Sequence, residues 1–174
     1  MRQDRDVYLT PPDVVATVLP LLPESLGTVL DPSAGKGVFV RLLVDRVSAW
    51  HNIDILPEMV GLTADFLNPA TRSVFTLPID SVITNPPFSL AQSFIEEAFR
   101  YRPKRVVMLC RLGLLASQRR YPFWQAHPPD VVAPIVPRPS FTGGGTDLYD
   151  YAWFGWGDVP VKGIRWVRWT ASRG

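Results

Sequence analysis

The side chains best suited to chemistry lie in the tetrapeptide Asn85-Pro86-Pro87-Phe88, which follows an apolar stretch. The side-chain oxygen of Asn85 and the backbone carbonyl of Pro86 can accept the hydrogens of an amine and stabilise the positive charge that builds on its nitrogen during alkylation. Pro86 and Pro87 stiffen the segment, and the ring of Phe88 offers a face for stacking. Taken alone, the tetrapeptide also fits a tight turn that ends a strand, with Phe88 in the core.

A second motif is the small-residue turn at residues 31–37 (Asp-Pro-Ser-Ala-Gly-Lys-Gly), between a predicted strand and a predicted helix. Its glycines permit a sharp turn and a close approach to a ligand, and the helix that follows offers free N–H groups. The order of its residues excludes a Walker phosphate loop, and its two glycines do not match the dinucleotide fingerprint. Asp31 would repel a pyrophosphate but suits a cationic ligand. The residues predicted to contact the ligand are Asp31, Ser33, Ala34, Gly35 and Gly37.

Two acidic positions complete the predicted ligand site. Asp54 ends the next predicted strand, where a carboxylate can accept two ribose hydroxyls. An acid after a strand is more often a turn residue, but the preceding glycine turn favours a role in binding. Asp65 and Phe66 follow a third apolar stretch, where the acid would accept the amino group of an adenine ring and the phenyl ring would pack against its face.

The elements that must position these motifs alternate between strand and helix. Thr10 is a predicted N-cap for the first helix, because prolines that suit a first turn follow it. Further helices are predicted at residues 38–49, 89–100 and 117–124, and strands at 28–31, 52–55, 80–84, 104–109, 131–136 and 149–156, with an extra edge strand at 164–169. This alternation predicts an α/β fold with a mostly parallel central sheet flanked by helices. Ligands bind at the carboxyl ends of such strands, where all three motifs lie.

Composition sets wider bounds. The 174 residues have room for one domain with a buried core, and 47% hydrophobic and 20% charged residues are typical of a globular protein. A net charge of +2 neither requires nor excludes a nucleic-acid partner. Cys110 lies in an apolar stretch and is predicted to be a core thiol. His51 and His127 lack companions at metal-ligand spacing, so no metal site is predicted. With no signal segment or membrane span, a cytoplasmic location is expected.

Five motifs, in this order, resemble those of amino-group DNA methyltransferases. They are Thr10-Pro11-Pro12, residues 31–37, Asp54, Asp65-Phe66 and residues 85–88. Residues 138–143 and 151–154 are similar to small adenine methyltransferases of bacteriophages and prophages, so the resemblance spans residues 8–156. The tetrapeptide itself is shared with enzymes that act on RNA adenine, guanine or protein glutamine.

The resemblance implies a Rossmann-like class I methyltransferase with S-adenosylmethionine as cofactor. This cofactor carries a sulfonium and an ammonium group and no phosphate, which suits Asp31. The resemblance also implies that Thr10 contacts the methionine carboxylate and that residues 85–88 are catalytic, with Asn85 also facing the cofactor. The expected reaction is methylation of adenine N6 in DNA, double- or single-stranded, which requires base flipping in a duplex. RNA adenine, a protein amide, or a non-catalytic cofactor-binding subunit remain alternatives.

Target binding is expected to involve basic and aromatic residues after the fifth strand. Larger adenine methyltransferases carry a separate target-recognition domain, and residues 1–174 are expected to form a single domain without one. Basic residues gather at positions 104, 105, 111, 119, 120 and 138. The residues 119–124 interleave cations with aromatics, as in a nucleic-acid groove, although a solvated helix face with Phe123 and Trp124 in the core is equally compatible. A mobile loop is expected at residues 143–145. Residues 162–173 form a second basic and aromatic segment, which is expected either to pack as an edge strand or to contact phosphates. The predicted substrate-binding residues are Phe88, Arg111, Arg119, Arg120, Arg138 and Phe141.

Overall fold

The computed structural model describes residues 9–75, 78–141 and 147–170. The predictions for residues 143–145 and for Arg173 lie outside these ranges. The strands are β1 (Gly27–Asp31), β2 (Val47–Asp54), β3 (Leu62–Thr63), β4 (Ser81–Thr84), β5 (Arg105–Arg111), β6 (Val131–Val136), β7 (Tyr151–Gly157), β8 (Gly163–Ile164) and β9 (Val167–Arg168). The α-helices are α1 (Pro12–Ala16), α2 (Val38–Leu43), α3 (Ala91–Arg100) and α4 (Tyr121–Ala126), and short 3₁₀ turns follow or precede most of them.

The strands form one sheet in the order β3-β2-β1-β4-β5-β7-β6. All pairings from β3 to β5 are parallel, while β7 runs antiparallel to both β5 and β6. The short strands β8 and β9 extend this edge by pairing in parallel with β6. The single edge strand predicted at residues 164–169 is therefore confirmed only as two separate two-residue strands. The predicted mostly parallel α/β sheet is therefore confirmed. The chain order reverses between β1 and β4, which is where such sheets bind ligands.

Alternate residues of the strands feed two cores, one on each face of the sheet. In β5, Val107 and Leu109 face one core, while Val106, Met108 and Cys110 face the other. Helices α1 and α2 cover the first core, and α3 and α4 cover the second. This alternation follows from the two-residue period of a strand. Cys110 is fully buried, which confirms it as a core thiol, and burial raises the pKa of its thiol.

Two predictions about the first helices are wrong. The helix expected at residues 38–49 ends at Leu43, and Val47 begins β2, because pairing of Val47 with Gly27 of β1 extends the sheet at this point. Thr10 does not cap α1, since Pro11 occupies the N-cap position without a side-chain hydrogen bond. No helix within the described ranges is both long and apolar enough to cross a membrane.

Candidate active site

A cavity of about 950 Å³ opens at the carboxyl ends of β1, β2 and β4. Its walls come from the segment before α1, the turn after β1 and the segments after β2, β3 and β4. The predicted site residues that line it are Thr10, Ser33, Ala34, Gly35, Asp54, Asp65, Phe66, Asn85, Pro86, Pro87 and Phe88. The fold thus brings together residues that are up to 78 positions apart in the chain, from Thr10 to Phe88.

Asn85 lies at the wall of this cavity, and only the nitrogen of its side-chain amide has a hydrogen-bond partner. Its Nδ2 donates to Oγ1 of Thr10 at 2.9 Å. Its Oδ1 is buried and accepts no hydrogen bond, and the residue is only 9% exposed. A buried acceptor without a donor is unfavourable unless a ligand supplies one. The hydroxyl of Thr10 therefore fixes the amide in the orientation that leaves an oxygen available.

Phe88 forms a packed wall of the cavity rather than a free platform. The guanidinium carbon of Arg111 lies 4.6 Å from the centroid of the Phe88 ring, and 3.8 Å from that of Tyr149. Phe141 meets the ring of Phe88 edge-on at 6.1 Å, and Tyr151 packs against it at 5.2 Å. Phe88 is consequently only 8% exposed. Arg111 and Phe141 do not line the cavity but contact the wall from behind.

The glycine turn and Asp54 are built as one unit. The carboxylate of Asp54 accepts the N–H of Gly35 at 2.9 Å through one oxygen and the N–H of Leu56 at 3.0 Å through the other. Each oxygen retains a further lone pair, so the carboxylate can still accept hydroxyl groups. Gly35 and Gly37 adopt φ angles of 52° and 71°, which confirms the sharp turn that the sequence predicts. Gly37, the last residue of the turn, does not line the cavity.

The structure does not bring Asp31 to the cavity wall. Its side chain is fully buried beneath the turn, where one oxygen accepts the hydroxyl of Thr84 at 2.7 Å and the N–H of Ser33 at 3.2 Å. Its second oxygen has no partner. Burial raises the pKa of Asp31 from 3.8 to about 7, against the opposing effect of these hydrogen bonds. Asp31 thus supports the turn from below and, unlike the other acidic site residues, does not line the cavity.

Asp65 and Phe66 divide between the cavity and the core. Asp65 is exposed, and its carboxylate accepts the N–H of Leu67 at 3.0 Å. Phe66 borders the cavity but is 2% exposed, because its ring stacks on Tyr101 at 5.7 Å and packs against Phe94 at 5.0 Å. Asp65 is therefore placed for a polar contact, while one face of Phe66 is already covered.

The predicted basic cluster is not one surface. Arg105 is buried and pairs with Asp158 at 2.8 Å, and Lys104 pairs with Asp80 at 2.9 Å. Both pairs lie at the start of β5, at the end of the strand that points away from the cavity. Arg138 forms an ion pair with Asp150. These three cations are thus already paired within the chain.

The segment around α4 agrees with the structural alternative for its aromatics. Phe123 is buried, and Trp124 stacks on Phe154 at 6.0 Å and donates through Nε1 to the carbonyl of Leu114. Arg119 and Arg120 precede the helix and do not line the cavity. Contact of these two arginines with the target outside the cavity stays a prediction.

Several cavity residues escape the sequence analysis. The apolar side chains of Ile55, Leu56 and Met59 follow Asp54 and form the wall beside it. Ile55 is 47% exposed, and an apolar stretch that continues beyond a strand-ending acid is the signal that would have indicated this wall. Within the part of the chain that the structure describes, His, Cys, Asp and Glu side chains form no group that could hold a metal ion.

Comparison with known proteins places the fold among methyltransferases. No protein-family model and no curated sequence matches the chain. The structure is similar to the methyltransferase subunit of a type I restriction-modification system from Streptococcus thermophilus, with a TM-score of 0.68, 12% identity and 92% of this chain covered. This chain spans only 47% of that subunit.

Two further solved structures share the fold over most of both chains. A precorrin-6y C5,15-methyltransferase from Geobacter metallireducens gives a TM-score of 0.59 at 15% identity, covering 88% of this chain and 91% of its own. An rRNA methylase from Streptococcus thermophilus gives 0.54 at 11% identity, covering 84% and 96%. The chain therefore has the Rossmann-like fold of class I methyltransferases.

Proposed function

We propose that this protein is an S-adenosylmethionine-dependent methyltransferase that methylates the exocyclic N6 amine of adenine in DNA. The observation that carries the proposal is the amide of Asn85, whose Nδ2 is held by Thr10 while its buried Oδ1 stays without a donor in the cavity. An acceptor arranged in this way suits an amine that carries hydrogens and gains positive charge.

The cavity fits the cofactor in size and in the chemistry of its walls. A volume of about 950 Å³ lies at the upper end of the range for ligand pockets, which leaves space for a nucleoside-sized cofactor and for part of a flat target. Asp54 offers free lone pairs for ribose hydroxyls, and Gly35 leaves the backbone accessible. In this proposal Asp65, which lines the cavity, accepts the adenine amino group, and Thr10 contacts the methionine carboxylate. When bound, the cofactor supplies an electrophilic methyl group on a sulfonium.

The residues of the tetrapeptide then act on the target amine. The lone pair of an exocyclic purine amine is delocalised into the ring, so the amine is a poor nucleophile. Hydrogen bonds from its two N–H groups to Oδ1 of Asn85 and to the carbonyl of Pro86 favour a more tetrahedral nitrogen and stabilise its developing charge. Asn85 is neutral and is not a strong base, so the proton leaves after methyl transfer.

Adenine in DNA is the favoured target because the ordered motifs resemble enzymes with that substrate. A base must leave the duplex to reach a cavity of this kind, and a stretch of single strand presents it at lower cost. Phe88, backed by Arg111 and Phe141, forms a rigid aromatic wall beside Asn85. Such a wall can hold a flat base through stacking or edge contacts.

Nucleoside mass spectrometry tests the proposal. Unmethylated DNA and RNA are each incubated with the purified protein and S-adenosylmethionine, and the digested nucleosides are measured. We expect N6-methyladenine in DNA with the wild type, and formation at least about 100-fold slower with Asn85→Ala. Methylation found only in RNA would show that RNA, rather than DNA, is the substrate. No methylated base in either polymer, despite measurable cofactor binding, would refute a nucleic-acid substrate and favour a protein amide or an accessory subunit.

A further inference from the structure

A second groove, of about 770 Å³, adjoins the cavity and has no part in the site described above. One wall comes from α1 and the turn after it, and the other from Arg165, Trp166, Val167 and Arg168. Pro12 lines both the groove and the cavity. The two depressions thus adjoin at Pro12.

The groove runs beside β6 and reaches, at Pro12 and Arg168, the carboxyl ends of the strands where the cavity lies. Strand β9 pairs with the final residues of β6, with Val167 opposite Ile135 and Arg168 opposite Val136. Because β5 and β6 are both antiparallel to β7, β6 runs in the same direction as β1, β4 and β5. The carboxyl end of β6 therefore lies on the side where the motifs meet.

The C-terminal wall exposes an aromatic side chain beside two arginines. Val167 points into the core and is 7% exposed, whereas its neighbour Trp166 is 68% exposed. Neither Arg165 nor Arg168 forms an ion pair with any carboxylate of the described ranges. Asp13, on the opposite wall, already accepts the N–H of Val14 at 2.9 Å. The wall is therefore basic, with an indole face that is available to a ligand.

This combination matches the chemistry of single-stranded nucleic acid. Arginine binds phosphate through paired N–H groups, and an indole stacks on unpaired bases with little regard for sequence. We propose that Trp166, Arg165 and Arg168 form a contact surface for the strand that flanks the target base. The surface binds an unpaired base on Trp166 and backbone phosphates on the arginines. The proposal rests on the proposed function, because it takes the polymer in the cavity to be nucleic acid.

The proposed surface adds contacts to a DNA strand outside the cavity itself. Arg138, Lys104 and Arg105 are already paired within the chain. The C-terminal wall supplies two cations that form no ion pair with a carboxylate of the described residues, in a groove that shares Pro12 with the cavity. This surface would bind the phosphate backbone and stack on bases, and it would not distinguish one base sequence from another.

Fluorescence anisotropy with a labelled single-stranded DNA oligonucleotide tests the proposal without any methyl transfer. We expect Trp166→Ala to weaken binding by roughly 5-fold or more, in line with the loss of one stacked base. We expect Arg165→Ala combined with Arg168→Ala to reduce the slope of log K against log salt by about 1.4, or about 0.7 per lost phosphate contact. Arg102→Asn is the matched control, because Arg102 is exposed between α3 and the start of β5, at the opposite edge. Asparagine tolerates its φ of 51°.

The outcomes separate this proposal from the proposed function. Equal binding by wild type and both variants would overturn the surface, even if the wild type methylates DNA. Binding that depends on Trp166, in a protein that methylates no base, would support the surface and refute the methylation. Loss of a dimer in Trp166→Ala by analytical ultracentrifugation, with DNA binding unchanged, would identify the surface as a contact between copies of the chain and overturn the proposal. Cofactor affinity measured by calorimetry confirms that each variant is folded.

Discussion

Replacing Thr10 with valine should test whether the orientation of the Asn85 amide matters for catalysis, because the variant keeps Asn85 itself. Valine keeps the shape of threonine but removes the hydroxyl that accepts the hydrogen bond from Nδ2 of Asn85 at 2.9 Å. Asn85 is only 9% exposed, so water does not readily replace that acceptor. An unsatisfied buried donor costs about 1–3 kcal/mol. The amide orientation that presents Oδ1 to the cavity should become less populated by a corresponding factor.

We therefore expect kcat to fall by about 10-fold or more in Thr10→Val, measured as initial rates of methyl transfer at saturating cofactor. Thr10→Ser keeps the hydroxyl and should stay within about 3-fold of the wild type. The cofactor Kd, measured by calorimetry, accounts separately for any contact between Thr10 and the cofactor. If Thr10→Val and Thr10→Ser share the same kcat at saturating cofactor, the hydrogen bond to Asn85 has no catalytic role.

Three further predictions concern stability. Because burial raises the pKa of Asp31 from 3.8 to about 7, its ionisation destabilises the folded state as the pH rises through that window. The free energy of unfolding, measured by urea titration at several pH values, should therefore be higher in Asp31→Asn than in the wild type. This difference should grow by up to about 4 kcal/mol between about pH 4 and pH 7 and stay constant above that. A difference that does not change with pH would contradict the raised pKa. Gly37→Ala should lower the free energy of unfolding by about 1–2 kcal/mol, since φ is 71° and a Cβ would meet Val60 at 3.4 Å. Trp153→Phe should cost about 2–4 kcal/mol in the same assay, because it removes a buried volume and the hydrogen bond from Nε1 to Thr17; a cost below about 0.5 kcal/mol would show that the core repacks freely.

Much of the fold is predictable from sequence because strand and helix periods differ clearly in the apolar stretches. Residues 82–83 and 106–109 are short apolar runs within the predicted strands 80–84 and 104–109, and both segments form central strands that pair in parallel. The error at residues 47–49 has a physical cause. That segment continues the apolar pattern of α2, and only pairing with Gly27 and Thr28 of β1 makes it a strand. Local sequence does not contain that long-range pairing.

The sequence predicts which residues form the candidate site, but not which of them line the cavity and which lie buried beneath it. The motif order indicates which residues gather at the sheet edge, and eleven of them line the cavity, from Thr10 to Phe88. The sequence does not reveal that Asp31 lies one layer below, because a carboxylate next to a glycine turn gives no signal of its burial. It likewise does not reveal that Thr10 holds Asn85, since the pair is 75 residues apart.

The most direct test of the central claim is the single-turnover rate of methyl transfer in Asn85→Ala, measured together with cofactor affinity. Loss of one preorganised hydrogen-bonding group typically lowers the rate by about 100- to 1,000-fold. We expect at least the lower figure, with the cofactor Kd changed by no more than about 3-fold, and with Ser93→Ala, on an exposed position of α3, at the wild-type rate. A rate in Asn85→Ala that stays within about 3-fold of the wild type would contradict the account.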